Sequence, residues 1–228
     1  MKLTWMKWSA LPVAVLMAGS VAMAQDQSSS GSQQPAPAPA ATPAATPAPA
    51  AKPKPTIAQR KENQQDRIAQ GVKSGQLTAG ETANLETKEA AINGETKADR
   101  AANGGKLTAA EKKQINGQQN QLSKQIYKDK HNANTANYGN SKVGKRQENQ
   151  QDRIAQGIKS GQLTAGETAK LENQQKGINQ QVAADRKANS GTLTASEKKQ
   201  VNKEQNAASK NIYNKKHNAR TQGGVKPK

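Results

Sequence analysis

Cysteine and phenylalanine are absent from this 228-residue chain, and every Met and Trp falls within the first 23 residues. Without Cys there is no disulfide framework, no thiolate nucleophile and no Cys-based zinc site. Past residue 24 the aromatics are Tyr127, Tyr138 and Tyr213, and the large aliphatics are 7 Leu, 9 Ile and 5 Val. That is well below the ~20% under which disorder becomes the default expectation. Burying one large aliphatic contributes ~1.5–3 kcal/mol, while ordering one residue costs ~1–2 kcal/mol of backbone entropy. A folded unit here must draw on helix propensity and capping as well as on a core. Acidic residues are also scarce: 17 Asp and Glu face 35 Lys and Arg, for a net charge of +18. Such a balance favours an anionic polymer or an envelope surface as partner.

What is present falls into blocks. Lys2 and Lys7 precede an apolar run from Ala10 to about Gly19, closed by Ala22-Met23-Ala24. The pattern predicts a secretory signal peptide over 1–24 and a secreted or periplasmic chain. That run is too short to span a bilayer, and no other stretch could, so no transmembrane segment is expected after signal cleavage. Residues 25–56 read as a disordered linker, rich in Ser and Gln and then in Pro and Ala, with eight Pro between 35 and 55.

The remainder is a duplication. RKENQQDRIAQGVKSGQLTAGETANLE at 60–86 returns as RQENQQDRIAQGIKSGQLTAGETAKLE at 146–172, an offset of 86 that also matches SKQIYKDKHNA at 123–133 to SKNIYNKKHNA at 209–219. The offset predicts two equivalent units, 57–142 and 143–228, the second ending in a basic tail. Within each unit a weaker repeat has a period of 30. Apolar residues lie in one narrow stripe per segment, as in Ile115, Leu122 and Ile126. The fold expected is all-α: two tandem three-helix units after the linker. Helices are expected near 57–71, 79–101, 109–131, 143–157, 165–187 and 195–217.

SGQLTAGE occurs at 74–81 and again at 160–167, with looser copies GGKLTAAE at 104–111 and SGTLTASE at 190–197. Thr78 and Glu81 have the spacing of a capping box, as do Thr108 and Glu111, Thr164 and Glu167, and Thr194 and Glu197. Each preceding Gly sits where a helix would stop in a left-handed turn, and each Leu where it can staple onto the next helix.

The octapeptide also resembles the back half of an EF-hand loop, with Gly, an apolar residue and Glu at the sixth, eighth and twelfth positions. That resemblance implies paired helix-loop-helix units whose Leu segments meet in a short β-bridge. The front half departs from the pattern, with Gln70, Val72 and Ser74 where Asp or Asn oxygens belong. A loop one residue longer offers Asp99, Asn103 and Glu111, and likewise Asp185, Asn189 and Glu197, for weak calcium binding. No other cofactor or metal is expected. Leu-Thr helix starts are also similar to those of exported chaperones of the LTxxQ type, although Glu stands here in place of Gln. Over 58–219 the chain resembles a group of exported bacterial proteins that share LTxxE and IYxxKHN signatures, a likeness that implies no particular activity.

Ile-Tyr-x-x-Lys-His-Asn ends each unit, and a single His per unit is too few for a metal site. It reads as a helix C-terminus in which Lys130 and His131 suit the dipole and Asn132 stops the helix. Asp66-Arg67 and Asp152-Arg153 lack the apolar mass that shifts a catalytic pKa. No nucleophile triad, phosphate-cradling loop or nucleotide fingerprint is present, so catalysis is not expected. Lys198, Lys199, Lys203, Lys210, Lys215 and Lys216 crowd the last helix and could follow a polyanion. Sequence-specific nucleic-acid readout is not expected with so few aromatics. The reading is an exported, non-catalytic binding or envelope-associated module for an anionic partner. A weak calcium-binding protein and a periplasmic chaperone are the alternatives.

Overall fold

Four Leu-Thr-Ala copies and two polar N-caps punctuate the chain into helices. The computed structural model describes residues 53–223. The expected signal peptide, nearly all of the linker and the last five residues lie outside the described residues. Six helices occur among them: α1 Ile57–Lys73, α2 Ala79–Ala102, α3 Ala109–Lys130, α4 Lys142–Lys159, α5 Ala165–Ala188 and α6 Ala195–Lys216. The fold is all-α, in two three-helix units. Gln, Ala, Lys and Glu, all good helix formers, fill these segments.

α1 was expected near 57–71 and is longer by two residues. It runs on to Lys73, because the left-handed turn that ends it is at Gly75, with φ +71°. Gly161 repeats that turn at φ +71°, and Gly105 and Gly191 turn at +88° and +90°. Each is a position where a Cβ would be strained. At the position preceding Gly191 the second repeat places Ser190 at φ 52°, where the first has Gly104.

Leu77 follows the first turn and is buried. It folds back over α1 so closely that a Cβ on Gly71 would lie 2.6 Å from its side chain. Leu163 repeats the contact on Gly157 at the same distance. An interior helical Gly is tolerated here because it admits the staple. Leu77 N–H donates to Gly71 O at 3.0 Å, closing the turn.

The repeats share a main core, and the second unit adds a smaller cluster around Val143, Ile178 and Val201. The most extensive helix contact is α2 on α5, followed by α1 on α4, so each of these helices packs chiefly on its own copy. Ile68, Leu77, Leu85 and Ile115 join Ile154, Leu163, Leu171 and Ile212 in a single apolar cluster. Every described Leu, Ile and Val is buried except Ile57, which packs partly buried against it. The aliphatics are few, but none of these is spent on the surface.

Buried amides supply the rest. Gln64 Nε2 donates to Gln119 O at 2.7 Å and Ser123 Oγ at 2.8 Å, tying α1 to α3. Gln65 Nε2 donates to Glu86 Oε2 at 3.1 Å, tying α1 to α2. Gln150 and Gln151 repeat both links in the second unit. These bonds satisfy the amide donors, while Gln64 Oε1 and Gln65 Oε1 are buried without a partner, which offsets part of the gain.

Candidate anion-binding surface

All four Leu-Thr copies form reciprocal capping boxes. Thr78 Oγ1 accepts from Glu81 N at 3.3 Å while Thr78 N donates to Glu81 Oε2 at 3.0 Å. Thr108 with Glu111, Thr164 with Glu167 and Thr194 with Glu197 repeat the exchange. Glu81 has a further partner that spacing did not reveal. Asn132 Nδ2, just past α3, donates to its Oε1 at 2.7 Å, and Asn218 does the same to Glu167 at 2.7 Å. The LTxxE and KHN signatures are therefore one cluster in space. Burial pushes Glu81 upward, but the Thr78 N–H and then Asn132 outweigh it and hold the carboxylate below its ordinary range.

The EF-hand geometry is not reproduced. α1 reaches Lys73 and α2 begins at Ala79, so Gln70 and Val72, the first and third loop positions, are helical. No strand or bridge pairs Leu77 with Leu107 among the described residues. Gly75 O instead accepts from Ala136 N at 2.8 Å. In the longer register, Asn103 turns its amide nitrogen toward Glu111 Oε1 at 2.8 Å while Glu111 Oε2 accepts from Thr108 N at 2.7 Å. Asn189 Nδ2 likewise donates to Glu197, at 2.8 and 3.0 Å. Both Glu carboxylates thus serve as caps, and both Asn side chains offer a donor where a cation needs an oxygen. Asp99 is held above its ordinary range, by desolvation first and then by Glu111 and Glu95. Asp185 lies in the last turn of α5, and the amide of the C-cap Asn189 donates to its backbone carbonyl at 2.8 Å. No group of three or more His, Cys, Asp or Glu among the described residues is arranged to hold a metal ion.

The basic residues of α6 separate into two sets. Lys199, Lys203 and Lys210 are exposed and spaced at four and seven residues, which places them on one helix face. Tyr213 and His217 continue that face at steps of three and four. Tyr213 is 61% exposed and its ring stacks on His217 at a centroid distance of 4.2 Å. Arg146 reaches the same face from α4 through Asn206 Oδ1. Lys198, Lys215 and Lys216 lie elsewhere. Lys198 lines a hollow with Val143 and Leu193, Lys215 faces Glu167, and the stem of Lys216 packs beside Gly157. Burial and then Arg153 push Lys216 down.

The first repeat carries the same device in thinner form. Lys113, Lys124, Tyr127 and His131 are exposed along α3, with Gly117 where α6 has Lys203. Tyr127 is 64% exposed and stacks on His131 at 4.2 Å. His131 Nδ1 lies 2.7 Å from Tyr127 O, so the imidazole caps the last turn of α3.

Carboxyl groups are also buried where α2 meets α5. Glu86 and Glu172 are fully buried, and Gln151 donates to Glu172 Oε2 at 2.9 Å as Gln65 does to Glu86. Burial raises Glu172 to about 8 despite that bond. It also raises Glu86 well above the ordinary range, helped by Glu89 and Glu172. Glu89 rises to about 7 through burial, opposed by Lys61. No protein-family model, curated protein or solved structure matches this chain.

Proposed function

We propose that this chain is an exported, non-catalytic helical repeat protein that binds an anionic polymer along the outer face of α6. The observation that carries this reading is the stripe of Lys199, Lys203, Lys210, Tyr213 and His217. At 1.5 Å per residue it extends about 27 Å. Repeated cations neutralise successive acidic groups, and an exposed ring offers a face for a sugar or base. The thinner stripe on α3 makes the first repeat the weaker partner. Export rests on the leader pattern, and the absence of a catalytic role on the lack of any nucleophile-and-base constellation in the sequence.

Titration with an acidic polysaccharide at rising salt tests this reading. Binding should weaken steeply as salt increases. Replacing Lys199, Lys203 and Lys210 by Gln should lower affinity at least tenfold and flatten the salt dependence by about three charges. Affinity that is indifferent to salt, or to this triple replacement, removes the reading.

A further inference from the structure

Each repeat has a hollow at the matching place, and the two have diverged. The first lies between the N-terminus of α5, residues 221–223, and the facing sides of α1 and α2, with a cavity volume of ≈ 590 Å³. Its counterpart, at the N-terminus of α2, is smaller at ≈ 380 Å³. The linker between the repeats accounts for the difference. Tyr138 lines the second hollow, with Glu172, Glu148 and Asp152 within electrostatic reach of its hydroxyl. Its carbonyl lies only 1.8 Å from where a Cβ on Gly144 would stand. At the first hollow the position of Gly144 is Ala58, which lines it, and the sequence position matching Tyr138 is Gly224, which has no ring.

The charges diverge as well. Lys61 stands where the second repeat has Gln147, and Lys97 where it has Ala183. Arg100 is kept as Arg186, but Arg186 donates to Ser141 Oγ at 3.0 Å, and the matching residue Pro55 has no hydroxyl to receive Arg100. Lys61, Lys97 and Arg100 thus converge on one hollow that no Asp or Glu lines among the described residues. Buried Glu89 interacts with Lys61. A second observation is independent of these cations. Gln222, in the wall, is 4% exposed; its Oε1 accepts from Ala165 N at 3.0 Å, and its Nε2 donor has no partner. The second hollow has Ala136 there.

We propose that the first hollow binds a small ring-bearing anion, a sugar-sized or aromatic ring carrying a carboxylate or phosphate. The anionic group sits among Lys61, Lys97 and Arg100, with the Gln222 amide as an added donor. The ring lies over Ile57, Ala58 and Ala90, in the space the linker takes in the other repeat. The hollow and the α6 stripe share no residue, so this proposal does not depend on the polymer reading.

Calorimetry on the chain from residue 25 onward tests it, with glucuronate, glucose 6-phosphate and 4-hydroxybenzoate as probes and glucose and phenol as neutral controls. At least one anionic ring should bind saturably, and more tightly than its neutral control by tenfold or more. Which probe binds separates carboxylate from phosphate and sugar from aromatic ring. Lys97→Ala and Lys61→Gln, which install the second repeat's residues, should each weaken that binding about tenfold with helicity unchanged. Lys199→Gln with Lys203→Gln should leave it intact. Equal binding of neutral and charged rings, no binding by any probe, or unchanged affinity in Lys97→Ala overturns the proposal. So does binding that appears only after residues 224–228 are removed, which would assign the hollow to the chain's own tail.

Discussion

The two repeats are near-copies at their turns and over most of the surface where they meet, and differ at a few buried positions. Both place a Gln-Gln pair on the first helix, a capped Glu on the second and a stacked Tyr-His at the end of the third. Yet the first repeat buries Glu89 where the second has Gln175. The amide is a neutral near-isostere of a protonated carboxyl. Gln175 Nε2 donates to Gln150 Oε1 at 3.1 Å, a bond an ionised carboxylate could not make. The second repeat is thus locked in the neutral form at this place, while the first still titrates.

The largest test of that difference is pH. Glu86, Glu89 and Glu172 are all raised from 4.5, to about 7 for Glu89 and about 8 for Glu172. The folded chain therefore holds protons that the unfolded chain releases above about 4.5. Stability from these groups is complete below that value and is lost as pH rises through 7 and 8. Denaturation in urea at pH 5 and pH 9 should show a marked loss at the higher pH, about 1.4 kcal/mol for each unit by which a folded-state carboxyl pKa lies above pH 5. Glu86→Gln combined with Glu172→Gln should abolish most of it, and Glu89→Gln alone a smaller part. A flat profile in the parent chain would mean that these carboxyls are not buried in solution.

Next in size is the staple. Gly71→Ala and Gly157→Ala each force a Cβ to within 2.6 Å of a Leu side chain, a cost of about 1–3 kcal/mol. Because both sites feed one core, thermal melts of the two variants should show a single transition, lowered by similar amounts. Two separate transitions would break the picture of a shared core. The smallest effect sharpens the comparison at one turn. Ser190→Gly restores what Gly104 already has and should stabilise by about 1 kcal/mol, read as a small rise in Tm.

Much of this was legible in the sequence because it is local. The cap spacing located the starts of α2, α3, α5 and α6, and the offset of 86 declared the duplication. The left-handed stop expected at the Gly of the motif is found at Gly75, and α1 runs two residues past its expected end near 71 to reach it. The buried Gln64, Gln65, Gln150 and Gln151 were not legible, since a Gln-Gln pair reads as solvent-facing until its partners on other helices are known. The tie from Asn132 to Glu81 spans 51 residues, and only the identical spacing of Asn218 and Glu167 hinted at it. Of the six α6 lysines, helical phase alone would have singled out Lys199, Lys203 and Lys210. The first hollow was invisible, because it is made by what the second repeat's linker fills.

The packing of α2 on α5 and α1 on α4 has a consequence for the ancestry and assembly of the chain. A surface that meets its own copy is isologous, the geometry of a C2 homodimer. A polypeptide carrying one repeat would expose a self-complementary face, and its folding would depend on protein concentration. Joining the copies through residues 131–141 turns that association into an intramolecular step at an effective concentration in the millimolar range. The duplication thus reads as a covalently tethered homodimer, free thereafter to let one half keep a charge or a hollow that the other has closed.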